Sequence, residues 1–460
     1  MTAREVTLEM LMQVNEEEKL SHQVSYRTLS QHPELSEADR ALAARMFHGT
    51  LERQLTLDWI LERQTGRPMQ KQKARIRNLL RMSAYQILFL RQVPDSAVCN
   101  EAVKLVKKKG LSGLSGLVNG VLRSLARNVE ASGGTEAYLQ TVAEDLTETE
   151  RLCFLYSMPV WLVTYWRKLY PAKVVERMLP AFLEESPTTV RWNRSKGSFE
   201  ELKESLRLDG AELAPAVYAD NALRVSLRGG ALHLRAYREG RCSVQDESSV
   251  LAGKILPLQK DMFVLDLCAA PGGKALHAAD TLAALGGGSV LARDVSETKA
   301  ARIREQGKRL GLSNLRCQVW DARRPDPVLA EAADVVIADL PCSGLGVIGR
   351  KPDIKWKTEF DDVLELAKLQ REILSVAVSY VKPGGYLCYS TCTVTKEENE
   401  DNVAYLERLG MEPVSVSDRL PKELVSAETD RGILALLPGL RETDGFFAAL
   451  LRKTGDSSKD

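Results

Sequence analysis

Over residues 1–128 the apolar positions fall on helical spacing. Leu42, Ala43, Met46, Phe47 and Leu51 recur at the i, i+3, i+4 interval of an amphipathic helix. Ser36 supplies an N-cap and Asp39 a first-turn acid for a helix running toward Arg53. The same spacing predicts helices near 3–17, 55–64, 69–90, 96–109 and 114–128, without strand-like alternation, so this part is an all-α bundle. Residues 129–145, broken by Gly133-Gly134, read as a linker. From 146 the texture changes. Residues 188–193 read as a strand, 198–206 as a helix with a Ser-x-x-Glu capping box, and 211–217 and 222–225 as short strands of a small α+β module.

After 240, a polar stretch turns helical, and short apolar runs then alternate with helices. The run 262–267, broken only by Asp266, reads as a strand buried on both faces. Pro271-Gly272-Gly273 turns tightly, and a helix begins at Lys274. Further strands are expected over 288–294, 315–321, 334–339 and 385–390, and a helix near 359–381. Thr395 and Glu398 read as a cap for one more helix. Strand, Gly-rich loop and helix, repeated, predict a Rossmann-like α/β sheet with a ligand site at its carboxyl edge. Three domains are expected: 1–145, an all-α bundle; 146–238, a small α+β module; and 239–455, the α/β domain.

Composition narrows the class. The chain has 460 residues, enough for two or three domains, with 44% hydrophobic and 27% charged residues, as in water-soluble globular proteins. The start carries acids and lacks the apolar stretch of a signal peptide, and no run approaches a membrane span, so a cytoplasmic protein without membrane contacts is expected. Eight cysteines without a Cys-x-x-Cys pair suit neither a disulfide framework nor a zinc site, and no histidine pair suggests a metal. The net charge of +1 hides an uneven distribution. Arg63, Arg67, Lys71, Lys73, Arg75, Arg77, Arg81 and Arg91 form a run without an acid, and Lys104 with Lys107–Lys109 adds a second cluster. Such runs are often only a solvated helix face. Their length here favours a phosphate-contacting surface for RNA.

The chemistry gathers at the expected strand ends. Asp294, at the end of the second strand of the α/β domain, is placed to accept the ribose hydroxyls of a nucleoside cofactor; Asp321, at the end of the third, to approach its adenine. Asp339 runs into Pro341-Cys342, and the fifth strand into Thr391-Cys392. A thiolate adding at pyrimidine carbon 6 turns carbon 5 into an enamine-like nucleophile, which is covalent catalysis. A carboxyl such as Asp339 suits the ring nitrogen, and a second thiol can assist the elimination that frees the product.

These residues carry a resemblance. The stretches 266–274, 339–356 and 389–400, with 245–249 and 437–447, are similar to the RNA cytosine-5 methyltransferases, and the bundle resembles the NusB-type RNA-binding domain. The resemblance implies S-adenosylmethionine as cofactor, contacted by Cys268, Ala269, Ala270, Pro271, Gly272, Gly273 and Lys274 together with Asp294, Asp321 and Asp339. It implies Cys392 as nucleophile and Cys342 as helper in product release. It also implies 16S ribosomal RNA, at nucleotide 967, as substrate, with transfer RNA the alternative. A monomer is the expected state. Two positions depart from the pattern: Ala275, where threonine is common, and Gly349, where a basic residue is common.

Rival readings are weaker. A DNA cytosine methyltransferase would use the Pro-Cys thiol but leave Thr391-Cys392 unexplained. A nicotinamide dehydrogenase lacks its Gly-x-Gly-x-x-Gly loop here. A non-enzymatic RNA-binding or antitermination protein would leave both cysteines and the acids unused. Cys268, Cys317 and Cys388 read as small buried hydrophobes and His277 as an ordinary helix residue.

Overall fold

A computed structural model describes residues 1–226 and 234–455. Their contacts divide the chain into two compact units, one of Met1–Glu184 with Ile348–Lys357 and one of the remainder.

The first unit is helical. Its helices Ala3–Asn15, Glu37–Glu52, Gln54–Thr65, Ala74–Phe89, Asp95–Lys108 and Ser115–Ala131 close on one apolar core that includes Met46, Phe47, Leu51, Leu80 and Leu122. Ser36 caps its helix by accepting from the Asp39 N–H, as the local sequence predicts. Within residues 1–145, two helices lie outside the expected set. Ser21–Gln31 has few apolar residues to mark it. Thr135–Ala143 occupies the expected linker, because Gly133 and Gly134 take positive φ, which ends one helix and starts the next instead of opening a loop. Helices Glu148–Tyr156, Val160–Leu169 and Ala172–Ala181, in a stretch where no helix was expected, group by contacts with this unit.

Segment 348–357 completes the unit. Asp353 is buried and accepts the Ser21 N–H at 3.0 Å and its hydroxyl; Lys355 donates to the Glu52 carbonyl at 2.9 Å and Trp356 Nε1 to the Leu51 carbonyl at 2.7 Å. Burial pulls the Lys355 ammonium down to about 7. The glycine at 349 has a packing reason: a Cβ there would meet the Phe182 carbonyl oxygen at 3.3 Å.

The second unit holds two sheets. The smaller is antiparallel in the order β2-β3-β1-β4, formed by β1 (Thr188–Trp192), β2 (Glu212–Pro215), β3 (Ala222–Ser226) and β4 (Cys242–Val244). The helix Phe199–Leu208 packs on it and is capped by the predicted Ser198/Glu201 box. β4 lies past position 239 and pairs with β1. Three residues are too short to show alternation, and only pairing with β1 makes them a strand of the smaller sheet. Arg191 on β1 forms a buried ion pair with Asp280 at 3.0 Å, tying this sheet to the helix Gly273–Ala284.

The larger sheet comprises β5 (Phe263–Asp266), β6 (Ser289–Asp294), β7 (Leu315–Val319), β8 (Ala333–Asp339), β9 (Val381–Thr391), β10 (Met411–Pro413), β11 (Ile433–Leu436) and β12 (Phe446–Lys453). Its order is β10-β12-β9-β8-β5-β6-β7, with β11 on β12. β5 to β9 run parallel and β12 is antiparallel to β9. Val264, Leu265, Val335, Val336 and Ile337 have no exposed surface, which explains the near-continuous apolar runs. The connectivity reverses between β5 and β8, and at such a switch point the loops leaving the carboxyl ends diverge and open a crevice. Among the described residues no helix is long and apolar enough to cross a membrane.

Candidate active site

The crevice is built from strand ends. β5 ends on Asp266, β6 on Asp294 and β8 on Asp339; Asp321 lies just past β7 instead of within a strand. After β5 the chain is held to both neighbours, Leu267 N–H donating to the Ile337 carbonyl at 3.0 Å and Ala269 N–H to that of Arg293 at 2.8 Å. Gly272, at φ 115°, is in the region only glycine adopts readily; it turns the loop into the helix beginning at Gly273. Pro271 at the tip is exposed, and Cys268, Ala270 and Gly273 are half-buried.

The acids differ in what holds them. Asp294 is buried and accepts from the Ala270 N–H at 3.2 Å, so the second strand end braces the glycine loop. Asp321 is engaged by Arg323, which donates at 3.0 and 2.8 Å and holds its carboxyl at about 2. Asp339 meets the Lys274 ammonium at 2.6 Å and accepts from the Ser390 hydroxyl at 2.8 Å. Lys274, only 6% exposed, thus has its charge on Asp339, with the Phe446 ring 5.1 Å from the ammonium.

Asp266 is fully buried, and neither carboxylate oxygen has a hydrogen-bond partner among the described residues. Burial first, then the Asp339 charge, push it up to about 8. Two unpartnered oxygens at the switch point fit a cofactor with an ammonium and hydroxyl donors. Stability has a matching pH dependence. The folded protein keeps a proton on Asp266 that the unfolded chain loses near pH 4, so stability falls as pH rises from about 4 to about 8. Asp266→Asn removes that slope. The unfolding free energy of the variant relative to the parent, both without cofactor, should rise by about 2 kcal/mol between pH 6 and pH 8. A difference that stays level across that range would show Asp266 to titrate normally.

The two thiols meet. Cys342 follows β8, Cys392 follows β9, and their sulfurs are 3.3 Å apart, with the Cys392 N–H donating to the Cys342 sulfur at 3.4 Å. The hydrogen bond with Cys392, then burial and the neighbouring charges, push the Cys342 thiol well up. Gly346 allows the approach: its N–H donates to the Cys392 carbonyl at 3.0 Å, and a Cβ there would lie 2.4 Å from the Gly445 oxygen and 2.8 Å from that of Cys392. The remaining thiols of the domain are poor nucleophiles. Burial and the surrounding acids hold Cys268 at about 12, burial holds Cys388 at about 12, and burial raises Cys317. Burial pulls His277 well below its usual value.

Glu398 escapes the sequence reading. Thr395 and Glu398 do bond, at 2.8 Å, but the next helix is Glu400–Arg408, and the carboxylate lies on the Cys342 loop. The visible signal, an acid three positions after a threonine, matches a helix cap equally well.

An α/β fold with acids at the strand ends flanking its switch point, and paired thiols on the loops after β8 and β9, is the arrangement of an S-adenosylmethionine-dependent methyltransferase. Residues 253–452 match the family described as 16S rRNA methyltransferase RsmB/F, residues 1–127 the NusB family, and residues 158–229 the ferredoxin-like domain of RsmF/B-like methyltransferases. The chain is 35% identical to the probable ribosomal RNA small subunit methyltransferase B of Bacillus subtilis, over 99% of each chain. It is 32% identical to ribosomal RNA small subunit methyltransferase B of Vibrio cholerae, over 94% of each. The chain belongs to this RsmB/F family of methyltransferases. Its fold is shared with the crystal structure of PH0851, at TM-score 0.79 and 24% identity over 98% of this chain and 99% of that one. NSun6 from Pyrococcus horikoshii with SFG superposes at TM-score 0.58 and 22% identity, over 66% of this chain and all of that one.

Proposed function

We propose that the chain forms 5-methylcytosine in 16S ribosomal RNA, at nucleotide 967, through a covalent adduct on Cys392, and that it works in the cytoplasm as a monomer. The observation that carries this reading is the approach of the Cys342 and Cys392 sulfurs to 3.3 Å, on the loops after β8 and β9. When bound, S-adenosylmethionine supplies an electrophilic methyl group. Asp266, Asp294 and the loop 268–273 would hold it, and Asp321 would join them once released from Arg323.

The chain's own residues do the rest. The Cys392 thiolate adds to carbon 6 of the cytosine, and the electron pair moves to carbon 5, which makes carbon 5 nucleophilic enough to take a methyl group. Asp339 hydrogen-bonds the ring nitrogen side and is kept aligned by Lys274 and Ser390. Loss of the carbon 5 proton then restores the ring double bond and expels the Cys392 thiolate, with Cys342 beside the departing sulfur. RNA carrying 5-fluorocytosine at the target has no proton to lose there. It should therefore be captured as a denaturation-resistant complex through Cys392. Absence of any such complex, with methylated product still formed, would remove the covalent route. Bisulfite reading of ribosomal and transfer RNA from cells lacking the protein should show loss at one 16S position and none in transfer RNA.

The bundle and the small module are proposed to dock the RNA. Three members of the basic run serve the bundle itself. Arg63 pairs with Asp145, Arg77 with Glu16 and buried Arg81 with Asp58. Arg67, Lys71, Lys73, Arg75 and Arg91 are exposed. Replacing Lys71, Lys73 and Arg75 together should weaken RNA binding. It should also flatten the slope of log K against log salt by about 0.7–0.9 for each phosphate no longer neutralised. An unaltered slope would leave these residues as solvated surface.

A further inference from the structure

Glu398 has no exposed surface, and the four donors on its carboxylate are neutral. They are the Ser343 N–H at 2.9 Å, the Ser343 hydroxyl at 2.5 Å, the Thr395 hydroxyl at 2.8 Å and the Gln370 amide at 2.9 Å. Ser343 follows Cys342 and Thr395 lies in the turn after Cys392, so one carboxylate joins the loops that carry both thiols. Gln370, on the helix Phe360–Tyr380, also donates to the Pro341 carbonyl at 2.8 Å, and its oxygen accepts from Asn402 at 2.8 Å. The Ser343 and Thr393 hydroxyls close the web at 2.7 Å. A buried carboxylate met by no cation among the described residues is a costly way to tie loops together when a neutral side chain would fill the space. Its location beside the thiols gives it another use.

We propose that Glu398 is a positioning residue for the covalent steps, holding the Cys342 and Cys392 sulfurs at touching distance and setting its carboxylate on the Cys342 side of the pair. This rests on the cysteine mechanism above. A carboxylate beside Cys342 disfavours a second negative charge there, and its influence adds to the upward push on that thiol from Cys392 and from burial. The mechanism above needs the thiolate on Cys392, and the carboxylate is bonded to the loop of the other thiol. Among the described residues, Tyr389 on β9 also faces Cys342 and Glu398.

Glu398→Gln keeps the shape but offers one acceptor oxygen in place of two, so some of the four donors lose their partner. The kcat should fall about 100-fold, the cost typical of a misplacement of about 1 Å, with KM for S-adenosylmethionine and RNA within about twofold of the parent. In a Cys392→Ala background without RNA, where one thiol of the pair remains to react, the midpoint of Cys342 alkylation by iodoacetamide, followed by mass spectrometry, should move down by about one pH unit. Glu398→Asp retains the charge and should bring that midpoint back while recovering the rate only in part. Ser343→Ala removes one donor without touching the charge, and should lower kcat about tenfold at an unmoved midpoint. It serves where Glu398→Gln fails to fold. A kcat within threefold of the parent in Glu398→Gln, or an unmoved midpoint with activity lost, or full activity in Ser343→Ala, would overturn the proposal. Alkylation needs no RNA, so failure of the covalent route would show separately, in the fluorocytosine trap.

Discussion

Cys392→Ala is expected to abolish methyl transfer, by about four orders of magnitude or more, and to form no covalent complex with RNA. Removing a nucleophile that initiates covalent catalysis costs on that scale, because carbon 5 of cytosine is too poor a nucleophile without addition at carbon 6. Cys342→Ala should behave differently despite lying 3.3 Å away. Addition remains open to it, while elimination is slowed, so an RNA adduct on Cys392 should accumulate on a denaturing gel in the presence of cofactor. The reverse pattern, an adduct in Cys392→Ala and none in Cys342→Ala, would exchange the roles and favour the arrangement of DNA cytosine methyltransferases.

Lys274→Met should lower kcat by about 100- to 1,000-fold and leave S-adenosylmethionine affinity within about threefold. The resemblance places Lys274 among the residues that touch the cofactor, but its ammonium lies on Asp339 at 2.6 Å, with Ser390 on the other carboxylate oxygen. Methionine fills the same space without the charge. Removing Lys274 leaves the half-buried Asp339 carboxylate without its cation, and Asp339 is the group proposed to face the base. Asp339 would then lose the cation that meets it at 2.6 Å and keep the Ser390 hydroxyl to align it. Calorimetry of cofactor binding decides between the roles. A large loss of affinity at near-normal kcat would make Lys274 a cofactor ligand.

Much of the site is legible in the sequence because its parts are local. The glycine loop follows an apolar strand and opens a helix within a dozen residues, and backbone sterics at Gly272 need no distant partner. Asp294 and Asp339 are the last residues of their strands for the same reason, and Asp321, taken as a strand end, lies slightly beyond its strand. Glu398 was visible only as a helix cap, since the cap pattern and the clamp use the same local spacing. The basic run looked uniform from 63 to 91, but Glu16, Asp58 and Asp145 reach three of its members from elsewhere in the bundle.

The amino-acid order by itself determined the helical bundle, the repeating strands of the α/β domain and the two cysteine motifs, because periodicity and turn chemistry act over a few residues. Only the tertiary structure decided that sulfurs fifty residues apart touch, that Lys274 serves Asp339, and that β4 belongs to the smaller sheet. Those outcomes depend on strand order. β8 lies between β5 and β9, which brings the ends of three chain segments to one edge, and no local pattern encodes which strands become neighbours. That choice is made by burial of the whole apolar sheet, a sum over interactions distant along the chain.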